Sequence, residues 1–466
     1  MGIRQSDQHL PRIIGRARRE ELRPLAHYLA TGLLRSTPNE DDVRQANAWF
    51  DATDDSDLRR DLIQAIQESG GSLLGNLARG WTGVAYGELL HDVMTQTDAW
   101  NKRHWQRASE RDDVREALRR DFDGIDRETL LLAERKLFLA LLDQSLAKAD
   151  PEERQRILDA LTSAMPDDDD ERPRTLQDHG IDSESLARVM GRRMSSMLAY
   201  QIALLIAGQV ARNVAGQGLR LVIGGALGRY LAVWAGPVGV GLATVLTVHD
   251  LTGPAMRKVM PSVLHLAMLD MEQQITPVIG VLGSMSAGKD TMIEALFGID
   301  TGGIDVLPGS TTSATVFDYQ DEHGKIRIVN APGEGDPRDS VQGEAREATD
   351  LLDTALLLIN AGGSVAGQTE RELFDRLVAR GVHVIPVLNK VDLCHSRDDL
   401  RQLQQSAADA LGVPLEAVLP AAAAPDPRLQ KEPIGLKRIH KTLADCLGET
   451  KRGSLPAGEK LAISVD

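Results

Sequence analysis

A glycine-rich segment in the second half of the chain has the composition and position of a loop that binds phosphate. It starts at Gly283, directly after the apolar run Val278–Leu282, and a helix-like stretch opens behind it. Glycines let successive backbone N–H groups turn towards one anion, and the N-terminus of the following helix adds its positive dipole. A lysine ending the loop can reach the β- and γ-phosphates of a nucleotide. The residues expected to contact nucleotide here are Gly283, Ser286, Ala287, Gly288, Lys289, Asp290 and Thr291.

A second polar segment ends another apolar run and has the residue types that recognise a guanine base. In Asn389, Lys390 and Asp392, the carboxylate can accept hydrogen bonds from guanine N1–H and the N2 amino group, which adenine does not offer. The asparagine can hold the base and the loop, while the lysine stem lies across the ring. Ala421 and Ala422 can supply a backbone amide for guanine O6, although an alanine run equally fits an ordinary strand-to-loop transition. The pattern predicts binding of GTP in preference to ATP.

Residues between these two segments have the chemistry to bind magnesium and to sense a γ-phosphate. Thr312 lies in a run of threonines whose hydroxyl and carbonyl can close over the ion as a first switch. Asn330 ends a further apolar run, and Gly333 follows with an amide that can contact the γ-phosphate. We expect Asp290, Thr312 and Asn330 to surround Mg²⁺, and Lys289, Thr312 and Gly333 to be the catalytic positions.

The elements that must position these residues follow from the alternation of apolar and polar stretches after Ile275. Short apolar runs are separated by helix-like stretches, and the runs are Pro277–Leu282, Ile326–Val329, Ala355–Ile359 and Val382–Leu388. Such alternation is typical of βα repetition and a mostly parallel sheet. The sequence therefore predicts an α/β domain over residues 275–450, closed by a helix over Leu436–Leu447 and followed by a flexible tail over 451–466.

The N-terminal half has helical periodicity instead. Leucine and alanine recur at spacings of three and four between charged positions from about Glu20 to Leu161. A chain of 466 residues is too long for one ordinary core. We predict an all-α domain over residues 1–165, continued by a Gly/Ala-rich apolar helical segment over 175–272. The acidic stretch between them is either a solvated loop or a domain boundary.

Residues 195–248 allow two interpretations. No acidic residue occurs between Arg188 and His249, and Tyr230–Val248 is uncharged and about as long as a membrane-spanning helix. The Gly236-Pro237 pair within it favours a helical hairpin over one straight span. We favour a buried helical pair in the core of the domain. Peripheral contact with anionic lipid, through the arginines that border the apolar surface, is the alternative.

Composition restricts the class of partner and the compartment. The net charge is −15, so we expect no nucleic-acid partner. The two cysteines, Cys394 and Cys446, form no CxxC pair and favour a reducing compartment over a disulfide framework or a structural zinc site. The stretch Met1–Arg19 lacks the apolar core of a signal peptide. The expected location is the cytoplasm, either free or peripheral at the inner face of the membrane.

With these motifs, residues from about 275 to 450 resemble the translation-factor-related class of P-loop GTPases, with the Era-like and dynamin-like branches nearest. The run Ser286-Ala287-Gly288-Lys289 and the Leu307-Pro308 that precedes the threonines lean towards the dynamin-like side. The resemblance implies binding of GTP and GDP with Mg²⁺, slow hydrolysis, a switch cycle and a homodimer through the GTPase domain. Alternatives are a nucleotide-binding module without turnover and a membrane-acting mechanoenzyme that uses residues 195–248.

Two departures from that class concern the metal. Relatives have a neutral hydroxyl after the lysine and an aspartate before the x-Pro-Gly, where this chain has Asp290 and Asn330. No glutamine follows Gly333, and Glu334 stands there instead. The site has lost one carboxylate and gained another, so we predict a rewired site that still needs the cation. A domain that has lost turnover is the alternative.

The N-terminal half also has a resemblance. Residues from about 20 to 272 are similar to the YaaW-like family of bacterial proteins. The similarity lies in glycine and proline landmarks, namely Gly70-Gly71-Ser72, Gly80-Trp81-Thr82-Gly83, Gly236-Pro237-Val238-Gly239, Gly253-Pro254-Ala255-Met256-Arg257 and Pro261-Ser262-Val263. These landmarks imply a fold relationship and no activity.

Overall fold

The computed structural model divides the chain into two compact units, Met1–Gln273 and Gln274–Asp466. It describes residues 6–30, 40–69, 83–105, 107–120, 124–148, 200, 202–203, 206–207, 256–284, 286–301, 315–320, 325–330, 352–362, 367–428 and 432–447. The first unit is helical and the second contains a six-stranded, mostly parallel sheet. The predicted fold class, an α/β domain that follows an all-α domain, is confirmed.

Most helices of the helical unit bury one apolar face, whereas the helix Arg127–Lys148 is buried on nearly all sides. The described helices are α1 (His9–Arg16), α2 (Arg19–Ala30), α3 (Glu40–Ala52), α4 (Asp55–Ser69), α5 (Tyr86–Gln96), α6 (Ala108–Arg120), α7 (Arg127–Lys148) and α8 (Met256–Ile275). On α4, for example, Leu58, Leu62 and Ile66 share one face and are buried. Most of the segment 195–248, the acidic stretch before it and the tail 451–466 lie outside the described residues. None of the helices that the structure describes is long and apolar enough to cross a membrane.

Two pairs of hydrogen-bonded polar side chains lie in the helical unit. The guanidinium of Arg12 donates two hydrogen bonds to Asp270, at 2.8 and 2.6 Å. The hydroxyl of Tyr86 donates to Glu134 Oε1 at 2.7 Å, and both side chains are fully buried. Burial is the main cause that raises the pKa of Glu134 well above its ordinary value, and the carboxylate of Asp270 acts in the same direction. Burial therefore favours the protonated, neutral form of Glu134 over its carboxylate.

This burial predicts how the stability of the helical unit depends on pH. The folded state holds the Glu134 proton more tightly than the unfolded state, so the stabilising contribution is complete below the ordinary pKa of 4.5. This contribution to the free energy of unfolding is lost as pH rises towards the pKa of Glu134 in the folded state, at up to about 1.4 kcal/mol per pH unit. Glu134→Gln keeps an acceptor for Tyr86 and removes the titration. We expect urea unfolding at about pH 5 and about pH 8 to show a smaller pH dependence in this variant than in the parent; equal dependence would contradict the assignment.

The second unit is a sheet covered by helices on both faces. Its strands are β1 (Val278–Gly283), β2 (Thr315–Gln320), β3 (Lys325–Asn330), β4 (Thr354–Asn360), β5 (His383–Asn389) and β6 (Leu419–Pro420), in the order β2-β3-β1-β4-β5-β6. Among the strands that the structure describes, β2 alone is antiparallel to the rest of the sheet. Apolar clusters on both faces bury β1 and β4 almost completely, which explains their continuous apolar runs.

The helices of this unit are α9 (Lys289–Phe297), α10 (Gln368–Ala379), α11 (Arg397–Leu411) and α12 (Leu436–Cys446). The last helix packs against one face of the sheet through Ile439 and Leu443, as the sequence predicts. The carboxyl ends of the parallel strands meet at one edge, where α/β sheets bind their ligands. Register places Asn330 of β3 beside Val281 of β1, and Asn360 of β4 beside Asn389 of β5.

Candidate nucleotide site

The predicted phosphate loop connects β1 to α9 and has the backbone geometry that its glycines permit. Gly283, Ser286 and Gly288 all have positive φ angles, of 145°, 62° and 86°. A Cβ atom on Gly283 would lie 2.4 Å from the carbonyl oxygen of Leu358, and one on Gly288 would lie 2.7 Å from Nδ2 of Asn389. Gly288 is also the N-cap of α9. The loop therefore brings its backbone close to two neighbouring strands, which larger residues would prevent.

Gly288→Ala should weaken nucleotide binding, because the new methyl group would displace the side-chain amide of Asn389 in addition to straining the backbone. Gly298, at the other end of α9, has a similar φ of 69° and open space around it. Alanine in this left-handed conformation costs about 1–2 kcal/mol at either position. Only at Gly288 does the new methyl group also displace the Asn389 amide. We expect Gly298→Ala to lose stability alone, and Gly288→Ala to lose stability and GDP affinity, as measured by thermal unfolding and by calorimetric titration. Equal GDP affinity in the two variants would contradict this account.

Lys289 begins α9 with its side chain folded over the loop. Its Nζ donates to the carbonyl oxygens of Gly283 at 3.3 Å and Ser284 at 3.2 Å, and the side chain is buried. Burial lowers the pKa of Lys289 to about 8, while the adjacent carboxylate of Asp290 acts in the opposite direction. A phosphate in the loop would stabilise the ammonium form, because an opposite charge nearby favours the charged state. The lysine is thus placed where it can contact a bound phosphate.

Asn389 joins the base-recognition segment to the phosphate loop. Its Nδ2 donates to the carbonyl oxygen of Ala287 at 2.9 Å, and its Oδ1 accepts from the backbone N–H of Ala423 at 3.3 Å. Lys390 follows with a φ of 64° and caps a short 3₁₀ turn over Val391–Leu393, which contains Asp392. The two predicted binding segments therefore lie side by side at the carboxyl edge of the sheet.

Asp392 also contacts a loop that the sequence did not single out. Its Oδ2 accepts a hydrogen bond from the backbone N–H of Asp426 at 3.0 Å, and the carboxylate of Asp426 in turn pairs with Arg428. A carboxylate oxygen has two acceptor positions, so Asp392 retains capacity for further donors. The loop around Asp426 therefore borders the position expected for the base.

The alanine amides assigned to guanine O6 are already engaged. The N–H of Ala421 donates to Leu388 O at 2.8 Å, and the N–H of Ala422 donates to Ile434 O at 3.1 Å. These bonds continue the β5–β6 pairing and a bridge to the segment before α12. The assignment of Ala421 and Ala422 to guanine O6 does not fit this geometry and is corrected here. The physical reason is that both N–H groups already form backbone hydrogen bonds that extend the sheet, and an alanine run in the sequence does not predict these bonds.

The two unusual residues of the expected metal site contact each other directly. Asn330 Nδ2 donates to Asp290 Oδ1 at 2.6 Å. The asparagine is buried, and its Oδ1 has no hydrogen-bond partner in the part of the chain that the structure describes. Thr312 and Gly333 lie outside the described residues. No cluster of three His, Cys, Asp or Glu side chains occurs among the residues described. Mg²⁺ commonly takes one or two carboxylates together with phosphates and water, and Asp290 is a ligand of that type, whereas Asn330 turns its amide nitrogen towards Asp290.

Asn360 is a site residue that sequence reasoning missed. It ends β4 in register with Asn389 of β5, and its Nδ2 lies 3.4 Å from the carbonyl oxygen of Ser286. Its Oδ1 accepts from the N–H of Gly362 at 2.9 Å. Its position in the sequence could have identified it, because a polar residue at the carboxyl end of a buried parallel strand lies at the edge of the sheet where ligands bind.

Comparison with known proteins agrees with this geometry. Residues 274–445 match the family model described as the elongation factor Tu GTP binding domain. The C-terminal region contains a P-loop GTPase domain. The family match does not extend into the N-terminal unit, where the resemblance to the YaaW-like family stays a prediction. No curated protein matches the chain.

Solved structures similar to the chain include two of Era. One is a variant of Aquifex aeolicus Era bound to GDP and AlF₄⁻, and the other is Era in complex with MgGDPNP and part of 16S ribosomal RNA. Each is 19% identical with a TM-score of 0.31, and covers 40% of this chain and 58% of the Era chain. A probable GTP-binding protein, engB, is 17% identical with a TM-score of 0.29, and covers 36% of this chain and 97% of its own. This chain therefore spans little more than half the length of Era.

Proposed function

We propose that the protein is a GTP-binding switch that hydrolyses GTP slowly and couples its nucleotide state to the helical N-terminal unit. The observation that carries this proposal is the Asn389 side chain, which ties the guanine-recognition segment to the phosphate loop at Ala287. Base and phosphate recognition are thereby fixed relative to each other, as one bound nucleotide requires.

Under this proposal each residue of the site has a distinct role. The loop amides, Gly288 and Lys289 hold the phosphates at the N-terminus of α9. Asn389, Lys390 and Asp392 recognise guanine. Asp290 and Asn330, with Thr312 from the first switch, hold Mg²⁺, while Gly333 contacts the γ-phosphate. Bound magnesium would offset the charge that develops on the transferred phosphoryl group.

Slow turnover follows from the residue type that the sequence has after Gly333. Glu334 follows Gly333 in the sequence, where a glutamine would orient the attacking water. The protein therefore relies on positioning and on electrostatic stabilisation by Lys289 and the loop amides. Residues 195–248 supply a second proposal, in which the switch acts at a membrane surface; flotation of liposomes with and without nucleotide separates it from a cytoplasmic switch.

Single-turnover release of phosphate tests the hydrolysis step. With excess protein over GTP and Mg²⁺ present, we expect slow release of inorganic phosphate that stops when Mg²⁺ is chelated. Lys289→Ala serves as the inactive control, because it removes the cation that contacts the phosphates. Tight GTP binding without any phosphate release would favour the alternative function, a nucleotide-binding module without turnover. The observation that motivates this alternative is the presence of Asp290 and Asn330 at the positions where relatives have a hydroxyl residue and an aspartate.

A further inference from the structure

We propose that the turn over residues 425–428 determines how strongly the site prefers guanine, because the backbone of this turn fixes the orientation of the Asp392 carboxylate. This role rests on the proposed function, since it presupposes that Asp392 binds the base. The residues of the turn are positioning residues, and they act on the nucleotide through Asp392.

Two hydrogen bonds hold the chain after β6 against the base-recognition segment. The backbone N–H of Ala423 donates to Asn389 Oδ1 at 3.3 Å. The backbone N–H of Asp426 donates to Asp392 Oδ2 at 3.0 Å. The alanines from Ala421 to Ala424 carry no side-chain donor, so in this stretch only a backbone N–H can bond to the carboxylate. The N–H of Asp426 is therefore the group that orients Asp392.

The side chain of Asp426 holds the turn that presents this N–H. Its Oδ1 accepts the backbone N–H of Arg428 at 2.9 Å, which closes an Asx turn around Pro427. The guanidinium of Arg428 bonds to the same carboxylate, with Nε 3.0 Å from Oδ1. Prolines on both sides of Asp426 restrict the backbone further. An exposed ion pair alone would contribute little to stability, so the consequence of this arrangement is a rigid turn beside Asp392.

A carboxylate in a fixed orientation discriminates between bases that offer two donors and bases that offer one. Guanine offers N1–H and the N2 amino group side by side, whereas hypoxanthine offers N1–H alone. Both donors are bound together only when the two oxygens of Asp392 lie in the plane of the base edge, whereas a rotated carboxylate can still follow a single donor. Across the described ranges, Asp392 Oδ1 forms no hydrogen bond and is available to the base. Loosening the turn should therefore weaken binding of guanine more than binding of hypoxanthine.

Affinities of the full chain for GDP and for inosine diphosphate, whose base is hypoxanthine, test the proposal. We expect the parent to prefer GDP at least about tenfold, because the N2 amino group bonds to a charged acceptor. Asp426→Ala should reduce this preference at least about threefold, since the carboxylate of Asp392 is then ordered only on binding. Pro427→Gly retains both carboxylates but frees the backbone, and should act in the same direction. Asp426→Asn keeps an oxygen for the N–H of Arg428 and should retain the preference.

The matched control is Asp375→Ala, which removes a carboxylate that pairs with Arg371 at 2.7 Å on α10. It should leave both affinities unchanged. In the Asp392→Asn background, which lacks the pair of acceptors, Asp426→Ala should change the preference no further. Thermal unfolding shows whether each variant is folded.

Two results would overturn the role of the turn while leaving guanine binding intact. One is an unchanged preference for GDP in Asp426→Ala and Pro427→Gly. The other is an equal loss of affinity for GDP and inosine diphosphate in these variants, which would indicate a general distortion of the site. Failure of the parent to bind GDP would overturn the proposed function as well.

Discussion

Asp392→Asn is expected to weaken binding of GDP and GTP and to shift the preference towards xanthine nucleotides. The carboxylate offers only acceptors to guanine N1–H and the N2 amino group, whereas the amide offers one acceptor and one donor. Losing a charged hydrogen bond and leaving the base amino group unpaired should cost on the order of 2–4 kcal/mol. Xanthine has a carbonyl oxygen at that position and can accept from the new amide.

The variant should remain folded, because the amide oxygen of an asparagine can still accept the N–H of Asp426 that Asp392 accepts at 3.0 Å. Calorimetric titration with GDP and with XDP measures the exchange of preference. Asp398→Asn, on the exposed surface of α11, controls for loss of a nearby negative charge. Unchanged GDP affinity together with no gain for XDP would refute the assignment of the guanine pocket.

Lys289→Ala has the second large expected effect. The ammonium group is the charged side chain that ends the phosphate loop, and a hydrogen bond to a charged group contributes about 1.5–3 kcal/mol. GDP and GTP should therefore bind more weakly by about that amount, whereas guanosine, which has no phosphate, should bind as in the parent. The comparison of GDP with guanosine separates lost phosphate contact from a general distortion of the site.

The matched control is Lys437→Ala, which removes an exposed lysine from α12 of the same unit. It should leave affinity for both ligands unchanged. Because Lys289 Nζ also donates to two loop carbonyls, thermal unfolding of the variant must be compared with the parent. An equal loss of affinity for GDP and guanosine would place the lysine away from the phosphates.

The positions in the fold of the proposed phosphate loop and base segment could be predicted because their signals are local. Buried strands read as continuous apolar runs, and the polar or glycine residues that follow them lie at the ligand edge of a parallel sheet. Gly283 at the end of β1 and Asn389 at the end of β5 both lie at this edge. Helical periodicity likewise predicted the helical class of the N-terminal unit.

Contacts between distant residues were not predictable in the same way. The sequence predicts that Asp290 and Asn330 lie at one metal site, but it does not predict the direct hydrogen bond between their side chains. The Arg12–Asp270 pair joins residues 258 positions apart. The bonding of the Ala421 and Ala422 amides depends on a bridge to Ile434, which sequence periodicity does not contain. Local patterns therefore predicted the elements, and the tertiary hydrogen bonds required the structure.

Competition among nucleotides for the full chain tests the central claim most directly. With Mg²⁺ present, unlabelled GDP and GTP should displace fluorescent GDP, whereas ADP and ATP should fail to do so at concentrations about a thousandfold higher, because a site built to bond the guanine edge rejects a base without it by a large factor. Displacement by adenine nucleotides at concentrations similar to GDP, or no binding of fluorescent GDP at all, would contradict the account.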